Sequence, residues 1–335
     1  MSCSAFIGIF FRFKGVTKME LPIEFKTVIE NLTADIPLKK LIAASEAISM
    51  RYRSESGAGK ALITNDIEAA AYAVVRMPAT IGAAGSAMQY TAKLFSDEIS
   101  TMLDMGAGTG TCCWAAAEVF PELEKITCLE RENSMLSFGK KLMSEGDFPI
   151  DCDWIKSDIT ESFSHKADLV TASYVMNELT VIKRAELTKR LWESTEKLLI
   201  IIEPGTPVGF ANIKAVRKQL IEMGANIIAP CPHNTECPLP DDDWCHFTSR
   251  ISRTKLHKQL KGGDVPYEDE KFTYIAAVKG KCVPCCCRVL RHPKIESGKI
   301  TLKLCTKDGI NERIVTKKDG TFFKKARKSD CGDEY

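Results

Sequence analysis

Apolar residues recur along this chain with two different periods, and the change of period divides it. From about residue 22 to 95, Ala, Leu, Ile and Met return at helical spacing, most densely in DIEAAAYAVV at 66–75. Pro78, which lacks an N–H and clashes with the preceding turn, is expected to end or kink that helix. A helical domain over 22–95 follows. From Glu98 onward, short apolar runs alternate with amphipathic stretches, as in ISTMLDMG, KITCLE, ADLVTASY and KLLIIIEPG. That alternation predicts an α/β fold with a parallel, doubly wound sheet over 96–280. FTYIAAVKG at 272–280 reads as a late strand rejoining it. Further on, CRVLRHP, GKITLKLC, ERIVTKKDG and TFFKKAR alternate apolar and basic residues between Gly or Pro turns, which predicts a small β module over 281–335. Residues 1–21 fit poorly with the rest and read as a leader or extension, with Met19 as an alternative start.

With 335 residues, 44% hydrophobic and 27% charged, the chain can bury a substantial core. The apolar stretch at 5–11 is far shorter than the roughly 20 residues of a spanning helix and lacks a basic leader, so neither a membrane anchor nor a signal peptide is expected. Fourteen unevenly placed cysteines speak for reduced thiols and a metal site rather than a disulfide framework. Four of them, Cys112, Cys113, Cys128 and Cys152, lie in helical or strand patterns and read as small buried hydrophobes. The net charge is only +2, yet 279–328 holds 15 Lys or Arg against 4 Asp or Glu, an excess of +11 that leaves −9 on the remainder. A basic module on an acidic body fits contact with a polyanion such as nucleic acid.

Candidate chemistry begins with the run from Leu103 to Gly110, LDMGAGTG, at the end of one predicted strand and the start of a helix. Glycines there let backbone approach a ligand, and a helix N-terminus offers free N–H donors. Glu130 ends the next strand, 20 residues after Gly110, where a carboxylate can accept ribose hydroxyls. Asp158 follows a third strand, in reach of an adenine amino group. Asp104, Gly106, Gly108, Gly110, Glu130 and Asp158 together resemble the cofactor site of class I (Rossmann-like) methyltransferases that use S-adenosylmethionine. After the fourth strand, SYVMNEL at 173–179 carries Asn177 and Glu178, candidates to orient a substrate or close the cofactor pocket; helix capping and a local salt bridge are the alternatives. An Asn/Asp-Pro-Pro-aromatic transfer motif is missing, so catalytic residues stay unassigned.

The second candidate centre is the loop PCPHNTECPLPDDDWCHF, where Cys231, Cys237 and Cys245 stand in Cys-x5-Cys-x7-Cys spacing. Close thiolates on a proline-stiffened loop suit a soft metal centre, and Cys-Pro steps lean toward iron–sulfur over zinc. His233, Asp243 and His246 are alternative ligands; Cys305 competes with Cys282, Cys285, Cys286 and Cys287 for the fourth place.

IIEPGTPVGF, the cysteine loop, KFTYIAAVK, RVLRHPKIESGKITLKLC and KKARKSDCGD resemble the family of mitochondrial small-ribosomal-subunit methyltransferase-like proteins and their bacterial relatives, which includes methyltransferase-like protein seventeen. The resemblance runs from about residue 35 to 335 and includes YRSES and YAVVRMPAT. It implies a factor for assembly of the small ribosomal subunit that touches its rRNA. It also implies a four-iron (4Fe-4S) cluster on four cysteines, matched by position to Cys231, Cys237, Cys245 and Cys305. The extra cysteines at 282–287, and Cys331 where an aromatic is common, depart from that pattern. Two functions follow as expectations: an assembly factor with an S-adenosylmethionine-binding domain, or an active rRNA methyltransferase. A monomer is expected. With no Arg-rich presequence legible, bacterial cytoplasm is the expected compartment and mitochondrial matrix the alternative.

Overall fold

The computed structural model describes residues 10–13, 16–19, 21–54, 62–161 and 163–335. A hairpin of β1 (Phe10–Phe13) and β2 (Val16–Met19) precedes helices α1 (Ile23–Thr33), α2 (Leu38–Ser54), α3 (Asp66–Val75) and α4 (Met77–Ala92). Asn65 caps α3 by accepting from Glu68 N–H, and the helix stops at Arg76. Pro78 lies in the first turn of α4, where its missing N–H has no bond to break.

The alternating segment then forms β3 (Thr101–Met105), α5 (Thr111–Val119), β4 (Lys125–Glu130), α6 (Asn133–Glu145), β5 (Asp151–Lys156) and β6 (Ala167–Ser173). Next come α7 (Val181–Ser194), β7 (Thr195–Pro204), α8 (Pro207–Glu222), β8 (Asn226–Ala229), β9 (Phe247–Ser252), α9 (Lys255–Lys261) and β10 (Tyr267–Val278). Five strands in the order β5-β4-β3-β6-β7 are parallel, and β10 joins β7 antiparallel. The expected α/β sheet is present. The strand expected at 272–280 begins earlier, because β10 is long enough to hold two partners: Tyr267–Phe272 pairs with β9 and Ala276–Val278 with β8. The cysteine loop leaves the sheet between those partners. At the far edge β2 adds to β9 in parallel.

Strands buried on both faces need apolar residues without alternation, hence LLIII in β7. Leu198, Ile200 and Ile202 face one core with Phe25, Trp114 and Met88, while Leu199 and Ile201 face the other with Leu191, Val216 and Leu220. The helices before the sheet share the first of these cores. Phe25 meets the Trp114 ring edge-on at 5.2 Å and Phe148 meets it at 4.8 Å, contacts worth about 0.5–1.5 kcal/mol each beyond burial. α4 is built of Ala, Gly, Ser and Thr because it lies tight against the sheet; a Cβ on Gly82 would sit 2.7 Å from Ile251.

The basic segment forms a second, antiparallel sheet: β13 (Lys299–Thr306) pairs on one side with β11 (Cys287–Val289) and β12 (Lys294–Glu296), and on the other with β14 (Gly309–Thr316). TFFKKAR differs from expectation in being helical, α10 (Thr321–Lys328). Ala326 and Phe323, spaced three apart, cover the core of Val289, Ile300, Leu302 and Val315, and the lysines turn outward; that period suits a helix, not a strand.

Candidate functional site

The end of β3 and the start of α5 are joined by the glycine turn. Gly106 has φ +72°, and a Cβ there would lie 2.6 Å from Val175; Gly110 has φ +91°, and its Cβ would lie 2.5 Å from Met143. Both conformation and space require glycine. The turn opens onto a cavity of about 320 Å3.

Four of the expected cofactor residues, Gly106, Gly108, Glu130 and Asp158, line this cavity. Glu130 accepts from Gly108 N–H and Glu132 N–H, each at 2.7 Å, so its carboxylate ties β4 to the glycine turn. Burial raises its pKa, opposed by those two amides. For Asp158, burial works upward, but Thr160 N–H at 2.8 Å and the Arg131 guanidinium hold it below the ordinary range.

The other three sit behind the wall. Gly110 caps α5 and shapes the turn from outside the lining. Asp104 is fully buried in β3, accepts from Thr171 Oγ1 at 2.6 Å and lies 3.7 Å from Cys113 Sγ; burial lifts its carboxyl to about 6. Its side chain points into the sheet core because alternation along β3 turns it there. Asn177 faces α8, where its Oδ1 accepts from Asn212 Nδ2 at 2.6 Å. Glu178, its neighbour, does line the cavity, and burial pushes its carboxyl up to about 7.

Much of the remaining wall comes from residues to which the sequence pattern gave no individual role. Tyr52 of α2 and Tyr72 of α3 reach the cavity from the helices before the sheet. Tyr174 stands at φ +61°, a left-handed conformation rarely adopted by a bulky side chain and a mark of local constraint. Its hydroxyl donates to Glu270 Oε1 at 3.0 Å, and Arg76 holds Glu270 from 3.4 Å. Arg76 and Glu270 are 194 residues apart, so only the folded chain reveals the link.

A second cavity, about 40 Å3, lies where the cysteine loop meets α8, β10 and the basic module. Cys231, Cys237, Cys245 and Cys305 all line it, whereas Cys282, Cys285, Cys286 and Cys287 do not. Cys305 is brought in by β13, between Arg288 of β11 and Ile310 of β14. Among the alternative ligands, Asp243 is engaged by Arg291 and by Lys303 Nζ at 2.8 Å, and His246 Nδ1 faces Trp244 O at 3.1 Å. His233 instead turns Nε2 toward Cys305 Sγ at 3.8 Å. The four cysteines line one space; among the described residues no three Cys, His, Asp or Glu are grouped closely enough to hold a metal ion. Burial raises the thiols of Cys231 and Cys245, and burial with Cys231 and Cys237 alongside lifts Cys305 to about 12. A metal centre bound here would displace protons from these thiols.

Basic side chains of the C-terminal module point to solvent: Lys317, Lys318, Lys324, Lys325 and Lys328 flank the half-exposed Phe322. None of the described helices is long and apolar enough to cross a membrane.

A parallel β5-β4-β3-β6-β7 order closed by an antiparallel β10, with a glycine turn after β3 and an acid after β4, defines a class I methyltransferase-like protein. The particular family is given by residues 66–335, which match the family model described as mitochondrial small ribosomal subunit Rsm22. The chain belongs to that family. Curated relatives include the human "Ribosome assembly protein METTL17, mitochondrial", 26% identical over 54% of this chain and 42% of its own length. Another is the Schizosaccharomyces pombe "Rsm22-cox11 tandem protein 2, mitochondrial", 25% identical over 70% of this chain and 38% of its own length. The chain thus spans about two fifths of the curated relatives it matches. Similar solved structures include the magnesium protoporphyrin IX methyltransferase of Synechocystis with bound SAM, with TM-score 0.39 and 13% identity over 76% of this chain and 97% of that one. Precorrin-6y C5,15-methyltransferase from Geobacter metallireducens gives TM-score 0.39 and 13% identity over 57% and 85%. Neither adds to what the strand order already establishes.

Proposed function

We propose that this protein is an assembly factor of the mitochondrial small ribosomal subunit. In this reading its methyltransferase-like domain binds S-adenosylmethionine, Cys231, Cys237, Cys245 and Cys305 hold a four-iron cluster, and its basic module grips rRNA. The observation that carries it is the convergence of four thiols, three from one loop and one from β13, on a single cavity at the seam between the two sheets. The Cys-Pro steps at Cys231 and Cys237 lean toward a multi-iron cluster over a single zinc ion. A cluster here staples loop to module, and its binding free energy becomes folding free energy for the C-terminal half. Glu130 and Asp158 are the residues that fit the ribose and adenine of S-adenosylmethionine, with the glycine turn beneath them. Mitochondrial matrix is the compartment we infer, since the names of the two relatives compared carry the word "mitochondrial"; they lend no support to a bacterial cytoplasm.

Protein purified without oxygen tests the reading through its iron and sulfide content and its sedimentation with small subunits. Near four iron and four sulfide per chain, lost together with subunit association in Cys305→Ser, is the expected result. Zinc in place of iron, or metal indifferent to Cys305, defeats it.

One observation sustains methyl transfer to rRNA as a second reading. Glu178 lines the cavity with a carboxyl poised near neutrality, beside the constrained Tyr174. Transfer of labelled methyl from S-adenosylmethionine to small-subunit RNA, abolished in Glu178→Gln, is its test.

A further inference from the structure

Arg217 lies on the face of α8 that lines the cysteine cavity, one turn beyond Ile213 and Lys214. It is 5% exposed. Its Nη2 donates to the carbonyl of His233 at 2.7 Å and stands 3.4 Å from His233 Nδ1, while its Nε has no partner. Among the described residues no carboxylate forms an ion pair with it. The other buried arginine among the described residues, Arg288, has Glu334 at 3.9 Å. A guanidinium withdrawn from water without an anion carries a large desolvation cost, so an unpaired one beside a cavity calls for negative charge in that cavity.

The groups there able to carry such charge are the thiols. Arg217 shares the lining of this cavity with Cys231, Cys237, Cys245 and Cys305. Its grip on the His233 carbonyl also fixes the loop just after Cys231, and Thr235 Oγ1 sits 2.8 Å from His233 Nδ1. With that side of the ring occupied, Nε2 is left toward Cys305 Sγ.

We propose that Arg217 is the built-in counter-charge of the cysteine centre, setting its reduction potential and holding His233 against Cys305. This rests on the cluster reading above. Four thiolates outweigh the positive charge of a cluster core, so the loaded centre is a net anion and each added electron makes it more negative. A fixed cation in a low-dielectric wall favours the electron-rich state. Because a guanidinium keeps its proton at any working pH, the effect is permanent. Arg217 is thus a positioning and tuning residue, outside the ligand set.

The test uses the full chain, purified without oxygen, as wild type, Arg217→Gln and Arg217→Lys. Iron and sulfide are measured, then the midpoint is determined by reductive titration followed by electron paramagnetic resonance. Arg217→Gln is expected to keep its iron and sulfide but to weaken the reduction equilibrium at least tenfold, a midpoint about 59 mV more negative for one electron. Arg217→Lys should recover most of that shift. Should the Gln variant fail to hold the cluster, the Lys variant still decides: retention with a midpoint less than about 59 mV from wild type upholds the proposal, and a larger shift, or loss in both, overturns it. An unmoved midpoint in a fully loaded Gln variant overturns this inference alone. Wild type lacking iron and sulfide overturns the cluster reading and this inference with it.

Discussion

Glu203, at the end of β7, is fully buried, and Glu203→Gln is the substitution that isolates its proton. Its Oε1 accepts from Met176 N–H at 2.9 Å and its Oε2 has no partner among the described residues. Around it, Arg184 donates to Met176 O and Leu179 O, so this carboxyl anchors the turn that forms one side of the glycine cavity. Burial lifts it from the ordinary 4.5 to about 8, against the pull of the Met176 amide and of Arg184. The folded chain therefore keeps a proton that the unfolded chain gives up first. Stability from this group is fully present below about pH 4.5 and is lost as pH rises to about 8. That interval, at about 1.36 kcal/mol per pH unit, comes to about 5 kcal/mol. Gln is close to isosteric, keeps the acceptor for Met176 and never ionises. Urea denaturation of both proteins from pH 5 to 9 by circular dichroism is the assay. Asp104 and Glu178, raised in the same direction, are present in both proteins and drop out of the difference. The Gln variant should gain on wild type by several kcal/mol across the range and be the more stable above pH 8. Parallel curves would refute the reasoning.

At the glycine cavity, Glu130→Ala removes the acceptor for two backbone amides and should weaken S-adenosylmethionine binding about a hundredfold, ~2.7 kcal/mol, by calorimetry. Asn177→Ala, facing Asn212, should change it less than about threefold, and equal losses would contradict the geometry. Gly139→Ala puts a Cβ 2.3 Å from Trp154 Cη2, so about 1–3 kcal/mol of stability should be lost; an unchanged melting temperature would show that the ring moves freely. Charge reversal at Lys317 and Lys318 together should weaken RNA binding and flatten its salt dependence, and affinity unchanged over a salt series would sink the role of the basic module.

Much of the fold was legible because its signals are local. KITCLE and KLLIIIEPG are strands, and the glycine turn sits between strand and helix, since buried runs and glycines are dictated within a few residues. Which way a side chain points is less local. Asp104 and Asn177 occupy the expected segments yet face away, because strand alternation and the packing of α8 decide direction. TFFKKAR reads as part of the β module but is helical, because its apolar Phe323 and Ala326 are set three apart by the sheet they cover. Tyr52, Tyr72 and Glu270 reach the glycine cavity or its wall from far along the chain, and spacing in sequence carries no trace of that. The gathering of Cys305 with the loop cysteines likewise depends on β13 docking.

Strand β10 joins events that are far apart on the map of the molecule. At one point Glu270 secures Tyr174 at the glycine cavity; a few residues later Thr273, Tyr274 and Ile275 line the cysteine cavity. The walls of the two cavities therefore share one structural element. Whatever factor loading of the cysteines imposes on affinity for a ligand in the glycine cavity, that ligand must return to the cysteines in equal measure. Titrating the glycine cavity in metal-loaded and metal-free protein reads this factor directly, and a factor of one would mean that β10 insulates the two sites.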